Sequence, residues 1–310
     1  MQTSPLLSIY VPTYNHENYI EKALDSIFMQ KTKYSYEVLV GEDCSTDNTR
    51  NVLKKYEKKN YSNLKIFYRQ QNMSKMEVTN AMDLILRCSG KYLIALEGDD
   101  YWIDAYKIEK QISFLESHPD YLAVSHRCLV VDKYGNANGE KYPECTERHY
   151  TYRHFLFDIY PGQFTTVMYR NYRSHDLGID ESLSLNCKGL GPGDRAIYFT
   201  LLLNGKIFCM NEVMSAYRHV TNGGSSFSAT FQFNQKQFID YQYQFVLYAR
   251  KLGDYKAEII AEALFYSAMI HSFHHKGKAY PDAQQYKKEI QHPIAARLLY
   301  GIRGVRRRIL

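Results

Sequence analysis

The sequence lacks several features that mark other classes of protein. No apolar run approaches the roughly 20 residues that a membrane-spanning helix needs, and the N-terminus has no charged segment followed by an apolar core. The six cysteines form no C-x-x-C pair and no zinc-like spacing, so we expect free thiols in a reducing compartment. These absences predict a cytoplasmic protein that is neither exported nor membrane-spanning.

Nucleotide-binding and nucleic-acid-binding signatures are also missing. No G-x-G-x-x-G and no G-x-x-x-x-G-K-[ST] follows a predicted strand, which argues against a dinucleotide fold and against a P-loop enzyme. The net charge is a modest +6, and no Lys/Arg stripe is interleaved with aromatic residues, so we expect no nucleic-acid partner. The hydrophobic content of 45% and charged content of 23% are ordinary for a globular protein.

The most informative stretch present is an apolar run that leads into three carboxylates. Residues 93–96 read L-I-A-L, and Glu97, Asp99 and Asp100 follow, a pattern typical of a buried parallel strand that ends at an acidic site. Ligands of open α/β sheets bind beyond the carboxyl ends of the strands. Such close carboxylates repel one another unless a cation or donors compensate, and hard divalent cations prefer oxygen ligands. The run predicts a metal–diphosphate site; the alternative is a helix-capping turn, for which Asp104 is the better candidate.

Secondary-structure patterns divide the chain into two parts. Short apolar runs alternate with helical patterns through the first third, which predicts βαβ units and a mostly parallel sheet flanked by helices. Beyond residue 231 the pattern is helical, with two long helices expected at about 235–252 and 255–274. The fold class is therefore α/β, Rossmann-like, with a C-terminal helical extension.

Three motifs stand in a recognisable order along the first part. Residues 8–15 read S-I-Y-V-P-T-Y-N, residues 38–49 read V-L-V-G-E-D-C-S-T-D-N-T, and residues 97–100 read E-G-D-D. As an ordered set they closely resemble the family 2 glycosyltransferases, over roughly residues 5 to 225. The resemblance implies the GT-A fold and transfer of a sugar, with inversion, from a nucleotide-sugar donor.

The resemblance also implies a division into domains. A GT-A domain would span residues 1–230, with a nucleotide-sugar-binding half at 1–118 and an acceptor half at 119–230. Residues 231–310 would form the helical extension with its basic amphipathic C-terminus.

The first two motifs cradle uridine and ribose in that family. The chemistry agrees, because a carboxylate accepts a hydrogen bond from the uracil N–H and an aromatic ring can stack on the base. Residues 45–47 have helix capping as their alternative, which we expect of Thr46 or Asp47. The matching nucleotide-sugar-binding positions are Pro12, Thr13, Tyr14, Glu42 and Asp43.

The third motif matches the D-x-D element, which holds Mn²⁺ or Mg²⁺ against the donor diphosphate. Glu97 stands where Asp is usual, which leaves open whether it contacts the ribose and metal or only supports them; we include it among the donor-binding residues. Asp99 is expected to bind both the metal and the donor, and Asp100 to bind the metal. The cation would neutralise charge on the departing UDP.

One departure from the family concerns the diphosphate contact. Thr79-Asn80 stands where relatives often have an Arg-Asn pair whose Arg approaches the diphosphate, so we expect that contact from Lys75 or Arg218. Residues 214–226 resemble a segment that closes over the diphosphate in relatives. His219 in this segment is a further candidate metal ligand, with a structural histidine as the alternative.

An inverting transferase needs a carboxylate to take the proton from the attacking acceptor hydroxyl. Residues 193–205 match the family element that supplies it, with Gly193 where Glu is frequent, so Asp194 is the expected catalytic base and an N-cap is its alternative. The predicted enzyme transfers a hexosyl or N-acetylhexosaminyl group from a UDP-sugar to a saccharide. The departures at Glu97 and Gly193 keep a non-catalytic sugar-nucleotide-binding or scaffold protein as the alternative.

The C-terminal segment is basic and amphipathic. Five apolar residues fall on one helical stripe among five arginines, which is typical of a membrane-surface helix attracted to anionic lipid. The alternatives are packing on its own domain or on a partner subunit in a homo-oligomer. The membrane interpretation predicts a lipid-linked acceptor built at the inner face of the cell membrane, as in bacterial envelope polysaccharide synthesis. The stripe consists of Ile294, Leu298, Ile302, Val305 and Ile309, and the arginines are Arg297, Arg303, Arg306, Arg307 and Arg308.

Overall fold

The computed structural model describes residues 4–74, 76, 78–140, 142, 148–157, 159–173, 177–187, 190, 193–220, 234–274 and 286–309. The chain divides into two compact units. The first, a sheet unit, combines residues 1–149, 161–179 and 205–231; the second, a helical unit, combines 150–160, 180–204 and 232–310.

The sheet unit is built on one mixed sheet. Its strands lie in the order β3-β2-β1-β4-β8-β6-β9-β5, with β7 paired to β9. The first four strands in this order are parallel, whereas β8 runs antiparallel to both of its neighbours. The strands are β1 (Leu7–Thr13), β2 (Tyr36–Glu42), β3 (Leu64–Tyr68), β4 (Tyr92–Ala95), β5 (Tyr101–Trp102), β6 (Tyr121–Val131), β7 (Arg148–Tyr150), β8 (Met168–Arg170) and β9 (Lys206–Arg218).

Helices connect the parallel strands, as the alternating pattern predicts. In this unit they are α1 (Ile20–Phe28), α2 (Thr49–Glu57), α3 (Asn80–Arg87) and α4 (Lys107–Ser117), and a 3-10 turn at Phe164–Thr166 precedes β8. Helix α3 begins at Asn80, because the Thr79 hydroxyl accepts a hydrogen bond from the Met82 N–H and caps the helix there.

The core of the sheet unit lies on both faces of β1 and β4. Every residue of β4 is buried, as are Ile9 and Val11 of β1. Helix α1 covers one face with Leu24 and Ile27, which are fully enclosed. Strands that are buried on both faces have continuous apolar sequences. The end of each such strand can therefore be recognised in the sequence as the point where the apolar run stops. Since β1, β2 and β4 are parallel neighbours, their carboxyl ends meet at one edge of the sheet.

The helical unit joins segments that are far apart in the chain. The Phe199 ring lies 5.0 Å from both the Phe155 and Phe245 rings, so aromatic packing draws 150–160 and 180–204 onto the C-terminal helices. The predicted domain division differs, because it assigned both segments to the acceptor half. The helices are α5 (Tyr152–Phe155), α6 (Ser182–Asn186), α7 (Gly193–Asn204), α8 (Gln235–Leu252), α9 (Tyr255–His274) and α10 (Pro293–Ile309).

The helices and the cysteines can be compared with what the composition predicts. None of the described helices combines the length and apolarity that crossing a bilayer requires. Cys44, Cys88, Cys128 and Cys187 are free thiols, as expected. The expectation is wrong for Cys209, which is joined in a disulfide. Cys145 lies outside the described residues.

Candidate functional site

The three sequence motifs meet at the carboxyl edge of the parallel strands. The Gly98 N–H donates to the Pro12 carbonyl at 3.1 Å, and the Asp43 N–H donates to the Thr13 carbonyl at 2.9 Å. Both contacts join loops that follow neighbouring strands. The motifs that the sequence separates are thus hydrogen-bonded to one another around the exit of β1. Tyr14 is partly buried in the same exit.

The loops after β1 and β2 are bound together by polar side chains. Asn15 has a left-handed backbone (φ 56°), and its Oδ1 accepts from the Thr46 N–H at 2.8 Å. Asp47 accepts from a backbone N–H of the first loop at 3.0 Å and from the Thr49 N–H at 2.9 Å. Asp47 therefore supports the first turn of α2, as the capping alternative predicts, and also fixes the first loop.

Glu42 is enclosed and fully engaged. Its side chain has no exposed surface, and its Oε2 pairs with Arg50 at 2.5 Å. Oε1 accepts from the Ser45 N–H at 2.6 Å, and Arg50 in turn donates to the Arg69 carbonyl at 2.6 Å. In this geometry Glu42 orients the second loop through Ser45 and Arg50; the expected direct contact of Glu42 with a nucleotide stays a prediction.

Asp43 keeps one oxygen for a ligand. Oδ1 accepts from the Met73 N–H at 2.8 Å, and no hydrogen bond to Oδ2 forms within the described part of the chain. Burial raises the pKa of Asp43, against the opposing effect of the Met73 hydrogen bond and the charge of Arg69. A donor group placed at Oδ2 would favour the ionised form.

Asp100 has a structural role in the turn that follows β4, residues 97–100, which we call the acidic turn. Its Oδ1 accepts from the Arg218 N–H at 2.7 Å and its Oδ2 from the Thr165 hydroxyl at 3.2 Å. Burial first, and then the charges of Asp99 and Glu97, raise its pKa well above the ordinary value. Both oxygens are engaged and 1% of the residue is exposed, so Asp100 fastens the turn to β9 and to the 3-10 turn.

Asp99 has the opposite character. Its Oδ1 is buried without a hydrogen-bond partner among the described residues, and its Oδ2 lies 3.8 Å from His16 Nε2. A buried polar atom left unpaired is costly, so such an atom in a native site calls for a ligand or an ion. Carboxylate oxygens suit Mn²⁺ and Mg²⁺, and the exposed Glu97 lies two positions away. The donor set therefore fits a divalent cation at Asp99.

His16 belongs to the site although the sequence interpretation assigned it no role. Its Nδ1 lies 3.1 Å from the Thr13 hydroxyl, and burial lowers its pKa against the opposing charge of Asp99. A Cβ at Gly98 would lie 2.6 Å from Thr13 Oγ1 and 2.7 Å from His16 Nδ1. Only glycine permits this approach. A glycine between two acids, with a histidine after the first motif, is the signal that could have indicated the contact.

Arg218 supports the acidic turn and is largely enclosed. Its Nε donates to the Asp99 carbonyl at 2.9 Å, and an Nη donates to the Asp132 carbonyl at 2.6 Å. The guanidinium carbon lies 4.3 Å from the Tyr19 ring centroid. Only 5% of Arg218 is exposed, and its guanidinium donates to backbone carbonyls. This arrangement differs from the expected contact of Arg218 with the diphosphate. Lys75, the other candidate, lies outside the described residues.

The His219 side chain pairs with Glu140. Its Nδ1 lies 2.6 Å from Glu140 Oε2, and its N–H donates to the Val131 carbonyl. Among the described residues, no group of three potential ligands joins His219 to the acidic turn. In this geometry the His219 imidazole pairs with Glu140, and its role as a metal ligand stays a prediction.

Asp194 lies in the helical unit, at the second residue of α7. It is partly buried, and its Oδ1 accepts from the Arg195 N–H at 2.7 Å. Burial raises the pKa of this carboxylate. As the second residue of α7, Asp194 lies within the first turn of the helix and not at its N-cap, and the raised pKa suits a group that takes up a proton.

Comparison with known proteins shows what the chain is similar to. Residues 8–174 match the family model described as glycosyl transferase family 2. TuaG of Bacillus subtilis, described as a putative teichuronic acid biosynthesis glycosyltransferase, is 29% identical over 229 residues, 72% of this chain and 82% of TuaG. An uncharacterized protein of Mycobacterium tuberculosis is 30% identical over 217 residues, 70% of this chain, which spans 60% of that relative.

A solved structure with a similar fold is that of TarS residues 1–349 from Staphylococcus aureus in complex with UDP-GlcNAc. The TM-score is 0.60 at 18% identity, covering 95% of this chain and 78% of that one. The likeness confirms the expected α/β fold of the GT-A type, with helices at the C-terminus.

Proposed function

Because the chain belongs to glycosyltransferase family 2, we propose that it transfers a sugar, with inversion, from a UDP-sugar to a saccharide acceptor. The observation that carries the proposal is the Asp99 oxygen that has no hydrogen-bond partner among the described residues, at the sheet edge where the three motifs meet. That edge is where open α/β sheets bind ligands. The proposed donor group is a hexosyl or N-acetylhexosaminyl unit.

The donor side follows from the geometry of the first two loops. Asp43 Oδ2 would accept from the uracil N–H, while Pro12, Thr13 and Tyr14 line the exit of β1 beside it. Glu42 holds the second loop in place through Arg50. TarS is described as a poly(ribitol-phosphate) β-N-acetylglucosaminyltransferase and is 30% identical to this chain over 138 residues, which supports a UDP-linked donor.

The proposed cofactor is Mn²⁺ or Mg²⁺. Asp99 would hold the cation through Oδ1, with Glu97 beside it at the open side of the turn. When bound, the cation neutralises the charge that develops on the departing UDP. Asp100 and Arg218 hold the turn so that the Asp99 carboxylate keeps its orientation, and His16 limits its movement from the side of Oδ2.

The proposed base is Asp194. As the acceptor oxygen attacks the anomeric carbon, its proton passes to the Asp194 carboxylate, and the bond from that carbon to the UDP oxygen breaks with its electron pair leaving on UDP. The raised pKa of Asp194 favours this proton uptake. Attack from the face opposite to the leaving group gives inversion.

The proposed acceptor is a lipid-linked saccharide of a bacterial envelope polysaccharide, elongated on the cytoplasmic side. TuaG, named for teichuronic acid biosynthesis, and TarS support an acceptor in this class of polymers. A non-catalytic sugar-nucleotide-binding protein is the alternative, and it would bind UDP-sugars without turning them over.

One experiment separates these functions. UDP binding and transfer or hydrolysis are measured across a panel of UDP-sugars, with and without Mn²⁺, for the wild type, Asp99→Asn and Asp194→Asn. We expect Asp99→Asn to lose metal-dependent UDP binding and Asp194→Asn to keep binding and lose transfer. Asp120→Asn, at a 58% exposed side chain, is the matched control and should behave as the wild type.

Two outcomes would contradict the proposal. If the wild type shows no metal-dependent UDP binding, the donor site is wrong. If it binds UDP-sugars tightly but neither transfers nor hydrolyses any of them, the non-catalytic alternative is correct.

A further inference from the structure

One face of helix α10 in the helical unit is apolar and exposed. Ile294, Leu298 and Ile302 expose 77%, 64% and 53% of their surface. Residues four apart lie on the same face of a helix, so the three side chains form one continuous stripe. Single exposed aliphatic residues are normal, whereas a contiguous apolar patch marks an interaction surface.

The stripe is not the face by which α10 packs on its own unit. Ala296 is fully buried, Arg303 is 7% exposed, and the Tyr300 ring lies 5.6 Å from the Tyr266 ring of α9. The packed face and the stripe therefore lie on different sides of the same helix. Packing on the helical unit, one alternative for this segment, accounts for the first face and leaves the stripe exposed in the described part of the structure.

The charge of α10 selects the kind of partner. Its 17 residues carry five arginines and no acidic residue. Arg297 is exposed directly beside Leu298. Two copies of such a helix would repel one another, whereas a surface rich in phosphate would attract it. Charge complementarity thus favours an anionic lipid surface over a second copy of this chain.

A cavity opens beside the stripe. Its volume is about 400 Å³, and most of its lining is apolar, with two cationic side chains. Pro293 and Arg297, which contribute to the lining, directly precede Ile294 and Leu298 in α10. An apolar cavity with cations suits one hydrocarbon chain of a lipid whose head group is anionic. The lining residues are Tyr266, Met269, Ile270, Lys287, Ile290, Pro293 and Arg297.

The segment that leads into α10 is fixed by an ionic network. Arg250 donates to Glu258 at 2.6 Å and to Glu262 at 2.7 Å. Glu262 also accepts from the Gln291 and His292 N–H groups at 2.8 and 2.9 Å. Both carboxylates pair with Arg250, and the Glu262 carboxylate also accepts from the two backbone donors. The network holds the start of α10 on α8 and α9, so the stripe is presented by a fixed helix.

We propose that helix α10 docks the protein on the surface of an anionic lipid bilayer. The stripe lies about 5–10 Å deep at the boundary between head groups and acyl chains, and the exposed Arg297 contacts lipid phosphates. The cavity receives one lipid chain. This peripheral attachment does not depend on the proposed sugar transfer, because it needs neither the acidic turn nor a nucleotide.

The test is co-sedimentation of the full chain with vesicles. Vesicles of phosphatidylcholine alone are compared with vesicles that also contain phosphatidylglycerol, at low and high salt. We expect the wild type to bind the phosphatidylglycerol vesicles and to be released by high salt. Leu298→Gln with Ile302→Gln should weaken binding about tenfold or more, because two apolar side chains lose their burial in lipid.

Matched variants separate the apolar and ionic contributions. Leu247→Gln, at a 39% exposed position of α8, is the apolar control and should bind as the wild type does. Arg297→Gln should weaken binding to anionic vesicles about threefold to tenfold and reduce its salt dependence. Circular dichroism of each variant checks that the helices are intact.

Three outcomes would overturn the proposal. The first is that the wild type does not bind phosphatidylglycerol vesicles. The second is that it binds vesicles of phosphatidylcholine alone as strongly as vesicles that contain phosphatidylglycerol. The third is self-association without lipid that Leu298→Gln with Ile302→Gln abolishes, which would identify a second copy as the partner. None of these readouts involves a sugar nucleotide, so their failure is distinct from failure of the proposed transfer.

Discussion

The Arg218 N–H donates a 2.7 Å hydrogen bond to the carboxylate of Asp100, 118 positions earlier in the chain. The Arg218 side chain also donates to the Asp99 carbonyl at 2.9 Å. One residue of β9 therefore fixes two successive acids of the turn after β4. As a result the two acids differ: both oxygens of Asp100 accept hydrogen bonds, whereas Asp99 Oδ1 has no hydrogen-bond partner among the described residues.

Removing the Arg218 guanidinium should loosen this turn. Arg218→Gln keeps the backbone bond to Asp100 and loses the contacts with the Asp99 and Asp132 carbonyls. We expect the free energy of unfolding to fall by about 1–3 kcal/mol, since buried carbonyls lose charged donors. Urea unfolding measures this, alongside UDP affinity in Mn²⁺. A large loss of affinity with unchanged stability would instead indicate that Arg218 contacts the diphosphate.

Gly98 should tolerate no side chain. In Gly98→Ala the new Cβ would lie within 2.7 Å of both Thr13 and His16, so the turn or the first loop must move. We expect a loss of about 1–3 kcal/mol in the free energy of unfolding and weaker UDP binding. Gly301→Ala, where a Cβ meets nothing within 4 Å, is the control and should leave thermal unfolding unchanged or slightly improved. Equal behaviour of both variants would contradict the close approach.

The Glu42–Arg50 pair should be worth more than an exposed pair. Glu42→Gln leaves Arg50, whose side chain is 33% exposed, without its carboxylate, and we expect a loss of about 1–3 kcal/mol in the free energy of unfolding. The comparison is the exposed pair of Asp120 and Lys206, where Asp120→Asn should cost less than about 0.5 kcal/mol. Denaturant titration of both variants measures the difference. If Glu42→Gln is no more destabilising than Asp120→Asn, the pair is not structural.

Asp194 should make stability depend on pH in a defined direction. Because burial raises its pKa in the folded protein, the folded state holds this proton more tightly than the unfolded chain does. Stability is therefore lost as pH rises from the ordinary aspartate pKa of 3.8 through the raised value. Asp194→Asn removes that loss, so we expect it to be more stable than the wild type at neutral pH and equally stable well below pH 3.8. Thermal unfolding across pH measures this; a variant less stable at neutral pH would contradict it.

The parallel half of the sheet could be predicted from the sequence, and the other half only partly. Strands β1 to β4 are apolar runs between helical patterns, so local periodicity reveals them. Strand β9 extends to Arg218, whereas the apolar run at its start ends at Met210. The polar Asn211 and Glu212 fall where the register with β6 shifts between His126 and Arg127, so a bulge looks like the end of a strand.

The site was predictable where the chemistry lies within one motif. The acidic turn and the loops after β1 and β2 come together as the resemblance implied. The structural positions of Arg218, Glu42 and His219 could not be read from the sequence, because each depends on a partner from a distant segment. The membership of residues 150–160 and 180–204 in the helical unit could not be predicted for the same reason, because the packing of Phe155 and Phe199 on Phe245 leaves no local pattern in the sequence.

The placement of β9 between β6 and β5 has a consequence for synthesis of the chain. Each of the strands β2, β3 and β4 pairs with a strand that was synthesised before it, so this part can assemble early. The acidic turn cannot close then, because the residue that compensates Asp100 emerges more than a hundred positions later. Until Arg218 has been synthesised, β5 lacks its partner strand β9, and the three neighbouring acids repel one another. The end of the sheet that carries the acidic turn is thus the last part of this unit to fold on the ribosome.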